Sequence, residues 1–133
     1  MKITSKKKKI KDIVVEKNNK GINLSLDIEF YPDSFQILQK EYKKLDLIAK
    51  LLEKFEKNNI LIEGHTEQFG LEEEMYELSE KRARTIGNYL IKMKVKNKDQ
   101  ILFKGWGSQK PKYPNSSPLK AKNRRVEITI LNN

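Results

Sequence analysis

The sequence predicts an α+β domain in which two main helices pack on a mixed sheet of four to five strands, in the order β-β-α-β-α-β-β. Two kinds of periodicity carry this prediction. Ile22, Leu24, Leu26 and Ile28 alternate with Asn23, Ser25 and Asp27, and Val126, Ile128 and Ile130 alternate with Arg125, Glu127 and Thr129, the period of a strand with one buried face. Phe35, Leu38, Tyr42, Leu45, Ile48, Leu52 and Phe55 recur at three and four residues, and Leu78, Ile86, Leu90 and Met93 fall on one helical face, as in amphipathic helices. Strands and helices intermixed in this way build a helix layer on a sheet.

Taken in order, residues 10–16 and 22–28 flank the turn chemistry of Asn18-Asn19-Lys20-Gly21 and read as a hairpin. Phe30 to Ser34 breaks the second strand. The first helix is expected from Phe35 to Phe55, closed by Asn58-Asn59. Ile60-Leu61-Ile62 forms a buried strand running into Gly64, and an acid-rich loop is expected from His65 to Tyr76. Ser79 reads as an N-cap with Glu80 in the first turn, where the helix dipole favours an acid. The second helix then runs to about Met93. Ile101-Leu102-Phe103 is another strand, residues 105–121 an irregular loop rich in Gly, Pro, Ser and Asn, and residues 124–131 the last strand.

A chain of 133 residues fits one domain with its own core. Residues 1–9, with the run Lys6-Lys7-Lys8-Lys9, are expected to be a basic extension, and residues 10–133 the domain. There is no cysteine, which excludes disulfides and thiolate metal sites, and one histidine, which excludes multi-histidine sites and histidine-based triads. His65-Thr66-Glu67 resembles an H-x-E element but has none of the further ligands that chemistry needs. Glu72, Glu73 and Glu74 are consecutive, so their carboxylates diverge rather than flank a substrate, and no glycine-rich phosphate loop is present. The expectation is a protein that is not an enzyme, with no cofactor and no metal.

The net charge of +10 favours an acidic partner: nucleic acid, anionic lipid or an anionic wall polymer. A basic nucleic-acid-binding module is the competing reading. It would stack bases on sheet aromatics, whereas Trp106 sits in a loop and Phe103 in an apolar strand, so no nucleic-acid partner is expected. No run approaches the roughly 20 apolar residues of a membrane span. The basic start lacks the apolar stretch of a signal peptide. A membrane is therefore expected to be met only through an upstream segment outside this chain.

Two arginines stand out. Arg82 lies four residues from both Leu78 and Ile86, inside the apolar stripe, and in the first turn of the helix as read, where a cation is disfavoured. Such rule-breaking positions concentrate at functional sites, although a snorkelling or structurally paired arginine would look the same. Arg124 shares the parity of Val126, Ile128 and Ile130 and is read as facing inward, with simple solvation at the strand end the alternative. Glu67, just past the buried strand, is either an ordinary exposed acid or the partner of Arg82 across a pocket. An acid opposite a guanidinium suits a zwitterion bearing amine and carboxylate.

These residues also fall into an ordered set of motifs. Ile62-Glu63-Gly64-His65-Thr66-Glu67, Gly70, Leu78-Ser79-Glu80-Lys81-Arg82-Ala83, Tyr89-Leu90, Gly105-Trp106-Gly107 with Pro111, and Asn123-Arg124-Arg125-Val126-Glu127-Ile128 resemble the signature of OmpA-like domains. Phe30 and Ser34 resemble that family's approach to its first helix. The likeness runs from about Ile22 to the C-terminus. It implies non-covalent binding of the diaminopimelate residue of the peptidoglycan stem peptide, with Glu67 holding an amine and Arg82 a carboxylate. Thr66, Tyr31 and Arg124 are expected to line the pocket.

The resemblance further implies a periplasmic module that anchors an outer-membrane or envelope protein to the wall, with envelope proteins as further partners. Two departures matter. The family acid is usually Asp where this chain has Glu67, and a pocket-lining Asn is replaced by Met75. They lead to the expectation of a pocket retuned for ornithine or lysine. The alternative is a domain that has lost wall binding and serves protein–protein contacts.

Overall fold

The computed structural model describes residues 6–10, 13–31 and 33–132. The elements, in chain order, are β1 (Lys6–Ile10), β2 (Ile13–Asn18), β3 (Gly21–Leu26), α1 (Tyr42–Glu53), β4 (Ile60–His65), α2 (Glu72–Lys92), β5 (Ile101–Gly105) and β6 (Arg125–Leu131). The strands form one sheet in the order β1-β2-β3-β6-β4-β5, with β4 and β5 parallel and every other pair antiparallel. The predicted α+β architecture holds, with six strands rather than four to five.

The extra strand is β1, whose lysines lie in the segment read as an extension outside the domain. Its register, Lys8 opposite Val15 and Lys9 opposite Val14, places it at the sheet edge. Lysine is compatible with that position because an edge strand leaves one flank to solvent, and charge there discourages further strands from adding. The expected hairpin is β2–β3, closed by Asn18, whose side chain accepts from the Lys20 and Gly21 amides.

The core lies between the sheet and the helices. Leu45, Ile48 and Leu52 of α1 and Ala83, Ile86 and Leu90 of α2 meet Leu24, Leu26, Ile60, Ile62, Val126 and Ile128 of the sheet, all fully or almost fully buried. The α1 stripe is the one the periodicity identified. Its start is not: α1 begins at Tyr42 after a short 3-10 turn, and Phe35 lies in a loop, half exposed. The backbone there is committed elsewhere, with Phe30 bridging Ile37 and the Leu38 amide donating to Glu29 O at 3.1 Å.

The second helix begins seven residues earlier than Ser79, at Glu72, and Leu71 rather than Ser79 occupies its N-cap position. Glu72, Glu73 and Glu74 fill the first turn, where carboxylates complement the helix dipole. Ser79 is instead fully buried at the closest approach of α2 to the sheet. A Cβ on Gly64 would lie 2.1 Å from Ser79 O, and one on Gly105 within 2.7 Å of Tyr76 O and Ser79 Oγ. Glycine on β4 and β5 lets the helix backbone rest directly on the strands.

A candidate binding cleft at one end of the sheet

Three connections converge at the end of the sheet where β3 and β4 finish and β6 begins, as the pairings Leu26–Val126 and His65–Arg125 require. They are the loop of residues 27–38, the loop of residues 66–71, and the long loop of residues 106–124. Hydrogen bonds stitch the last two to each other and to α2. Ser79 Oγ donates to Tyr76 O at 2.9 Å and accepts from the Gly107 amide at 3.0 Å. Gly107 O accepts from the Thr66 amide at 2.8 Å, and Gly64 O from the Trp106 amide at 3.0 Å. The position of Glu67 is thus tied through Thr66 and Gly107 to the middle of α2.

Arg82 projects from α2 toward the first of these loops. Its Nε donates to Ser34 O at 3.0 Å, and its guanidinium lies 4.8 Å from the centre of the Phe30 ring. It sits well inside α2, so the first-turn argument does not apply to it. What singles it out is its surroundings. It is half-buried, and among the described residues no carboxylate forms an ion pair with it. Burial, followed by the positive field of Arg124, holds its pKa below the usual value, while Asp33 acts the other way. An incoming carboxylate would relieve both penalties.

Arg124 and Glu67 form an ion pair at 3.0 Å, with side chains 56% and 27% exposed. Arg124 therefore does not point into the core as parity suggested. It stands at the cleft mouth, on the residue before β6. Glu67, Arg82 and Arg124 line a single cavity of about 280 Å³ with Asp33, Gln68, Phe69 and Leu78. Arg82 and Arg124 also border a second cavity of about 250 Å³ on their other side, with Asp27, Glu29 and Phe30. Two acids and two guanidiniums face the first cavity, a charge set that suits a ligand carrying both signs.

The other predicted residues are not on that surface. Thr66 is 2% exposed and its Oγ1 has no hydrogen-bond partner. Tyr31 is exposed but lines neither cavity; its backbone closes the loop, donating to Gln36 O and accepting from the Ser34 amide. Met75 is buried, and its Sδ accepts from the Phe69 amide at 3.2 Å, so it holds the Glu67 loop from behind. Asp33 was passed over as part of a strand break. Its positive φ of 52°, a conformation Asp tolerates better than most residues, turns its carboxylate into the cleft.

On the opposite face of the sheet, Arg125 was likewise missed. It is 6% exposed, and its Nε donates to Glu127 at 2.7 Å and an Nη to Lys110 O at 3.1 Å. Burial alone would raise the Glu127 carboxyl, but the charge and hydrogen bond of Arg125 outweigh it and leave the group below its usual value. His65 is packed beside them, and burial, then the Arg125 charge, pushes it down to about 4. Asn123, 1% exposed, accepts from the Lys112 and Tyr113 amides and donates to Tyr113 O. That contact fixes the long loop just ahead of Arg124. Phe103 faces the helices, against Gly87, so it offers no stacking surface on the open side of the sheet.

Fold and cleft together define a small α+β binding domain. Residues 29–125 match the OmpA family, and the chain belongs to that family. An outer membrane protein from Borrelia burgdorferi B31, of solved structure, is 85% identical, with 90% of this chain and 97% of that one covered at a TM-score of 0.78. The periplasmic domain of Helicobacter pylori MotB is 30% identical, with 98% of this chain and 89% of that one covered at a TM-score of 0.83. The peptidoglycan-binding protein ArfA of Mycobacterium bovis is 34% identical over 104 residues, which make up 77% of this chain and 32% of that protein. The chain thus spans about a third of the length of that relative, by the same 32%.

Proposed function

We propose that this domain is a non-catalytic cell-wall binding module that holds the diamino acid of the peptidoglycan stem peptide. The observation that carries the reading is the half-buried Arg82, without an acid partner among the described residues, in the same cleft as Glu67. In this reading Glu67 exchanges Arg124 for the ligand's ammonium, and the guanidiniums of Arg82 and Arg124 take its carboxylate. The stated peptidoglycan binding of ArfA supports the same partner.

The longer side chain of Glu67, reaching one methylene further than the Asp usual in the family, favours a diamino acid with a shorter amine arm. Ornithine or lysine is the proposed residue. Neither carries the distal carboxylate of diaminopimelate, so Arg82 would take a main-chain carboxylate of the stem. Met75 is compatible with retained binding, because its side chain supports the Glu67 loop rather than meeting the ligand. The module would act in the periplasm, joining an envelope protein to the wall.

Retention on purified wall sacculi, compared for the protein, Arg82→Ala and Glu67→Ala, tests the site. Both substitutions are expected to release the domain into the supernatant. Equal retention of all three proteins would refute the assignment. Calorimetric titration with muropeptides carrying ornithine, lysine or diaminopimelate tests the specificity, and preference for diaminopimelate would overturn that part alone.

A further inference from the structure

The loops at the cleft leave large aromatic side chains in solvent. Phe35 is 50% exposed and Phe69 43% exposed. They come from two loops separated in sequence, yet both wall one cavity of about 360 Å³. That cavity shares Asp33, Phe69 and Leu78 with the charged cleft, so the two are one continuous groove. We infer that this apolar wing takes the small, methyl-bearing residues that follow the diamino acid along the stem peptide. The inference rests on the wall-binding reading of the cleft.

Several features favour this occupant. Both aromatics stand on backbone that the cleft residues hold in place. Ser34 O, next to Phe35, accepts from Arg82, and the Phe69 amide donates to Met75 Sδ. Their placement relative to Arg82 is thus set before a ligand arrives, which reduces the entropic cost of binding. The floor is Leu78, and the charged members are Glu74, Glu77 and Lys81 with Asp33. Glu77 and Lys81 are paired with each other at 3.0 Å, leaving an acidic balance at the rim. A free terminal carboxylate is disfavoured there, whereas a chain that continues through neutral amides is not. Half-exposed phenylalanines beside a polar site are the kind of patch that marks a binding surface.

The test uses two synthetic stem peptides, both keeping the free α-carboxylate of the γ-linked glutamate for Arg82 and both ending in a carboxamide so that their terminal charges match. One stops at ornithine and the other continues through D-Ala-D-Ala. Calorimetric titration of the protein is expected to show about fivefold tighter binding of the longer peptide, the scale expected from shielding two methyl groups in part. Phe35→Ser, at a position outside the charged cleft, should erase most of that difference and leave affinity for the shorter peptide within about twofold. Phe35 is half exposed, and unchanged circular dichroism checks the fold. Equal affinity of the unaltered protein for the two peptides would overturn the inference, as would a variant that keeps the preference. A gain from a disaccharide on the shorter peptide, in place of the D-alanines, would overturn it in favour of a sugar. If the unaltered protein bound neither peptide while Arg82→Ala matched it on sacculi, the wall-binding reading would fall instead.

Discussion

Replacing His65 with Gln should flatten the dependence of stability on pH between about 4 and 6.5. In the folded protein His65 is buried and pushed down to about 4, first by burial and then by the Arg125 charge. In the unfolded chain an imidazole titrates near 6.5. The folded pKa is the lower of the two, so below about pH 6.5 the unfolded state takes up a proton that the folded state refuses. The stability associated with neutral His65 is complete above that pH and is lost as pH falls toward 4. The difference between the two values corresponds to about 3 kcal/mol at most, with the opposing charge of Glu127 at 3.8 Å already included.

Urea unfolding followed through Trp106, the single tryptophan, measures this directly, with stability extrapolated to water at each pH. The protein should lose about 2 to 3 kcal/mol more than His65→Gln on going from pH 7 to pH 4. The readout is the difference in slope, so the absolute stability of the variant does not matter. Carboxylates remote from His65 contribute to both proteins alike, and Glu127 keeps its Arg125 partner in both. Parallel curves over the whole range would refute the account of His65 as a buried, neutral group.

Two further substitutions address how the cleft is assembled. Gly64→Ala places a Cβ 2.1 Å from Ser79 O and must lift α2 from β4, so the urea-derived stability should fall by about 3 kcal/mol, the overpacking range. Ser79→Ala leaves the buried Gly107 amide without its acceptor, at a cost of about 1 to 3 kcal/mol in the same assay. It should also weaken sacculus binding although Arg82 and Glu67 are untouched, because the link from α2 to the Glu67 loop is cut.

Much of the fold was legible because its signals are local. The alternation in residues 22–28 and 126–130 located β3 and β6, and the three-and-four spacing of Leu45, Ile48 and Leu52 located the core of α1. What was not legible depended on tertiary contact. Ser79 has the chemistry of a helix cap, and only the glycines opposite it, on β4 and β5, make a buried mid-helix role available. The three glutamates before it were a dipole signal read as loop polarity.

The parity argument for Arg124 assumed that one face of β6 is covered and the other open. At this end the long loop covers the second face, Lys112 reaching Ser25 and Lys110 lying over Trp106, so Arg125 is the buried arginine and Arg124 the outer one. Of the predicted site, Glu67, Arg82 and Arg124 come together, whereas Thr66 and Met75 support from beneath. Asp33 needed the turn geometry to be seen.

In the proposed wall-binding role, the order of the sheet carries a mechanical consequence. Arg124 immediately precedes β6, and Glu67 follows β4 by two residues; both are interior strands, β6 bonded to β3 and β4, and β4 to β6 and β5. A pull applied at the cleft therefore runs along the strand axes and loads many backbone hydrogen bonds together, in shear. The lysine-rich β1 lies at the far edge of the sheet and is bonded to β2 alone.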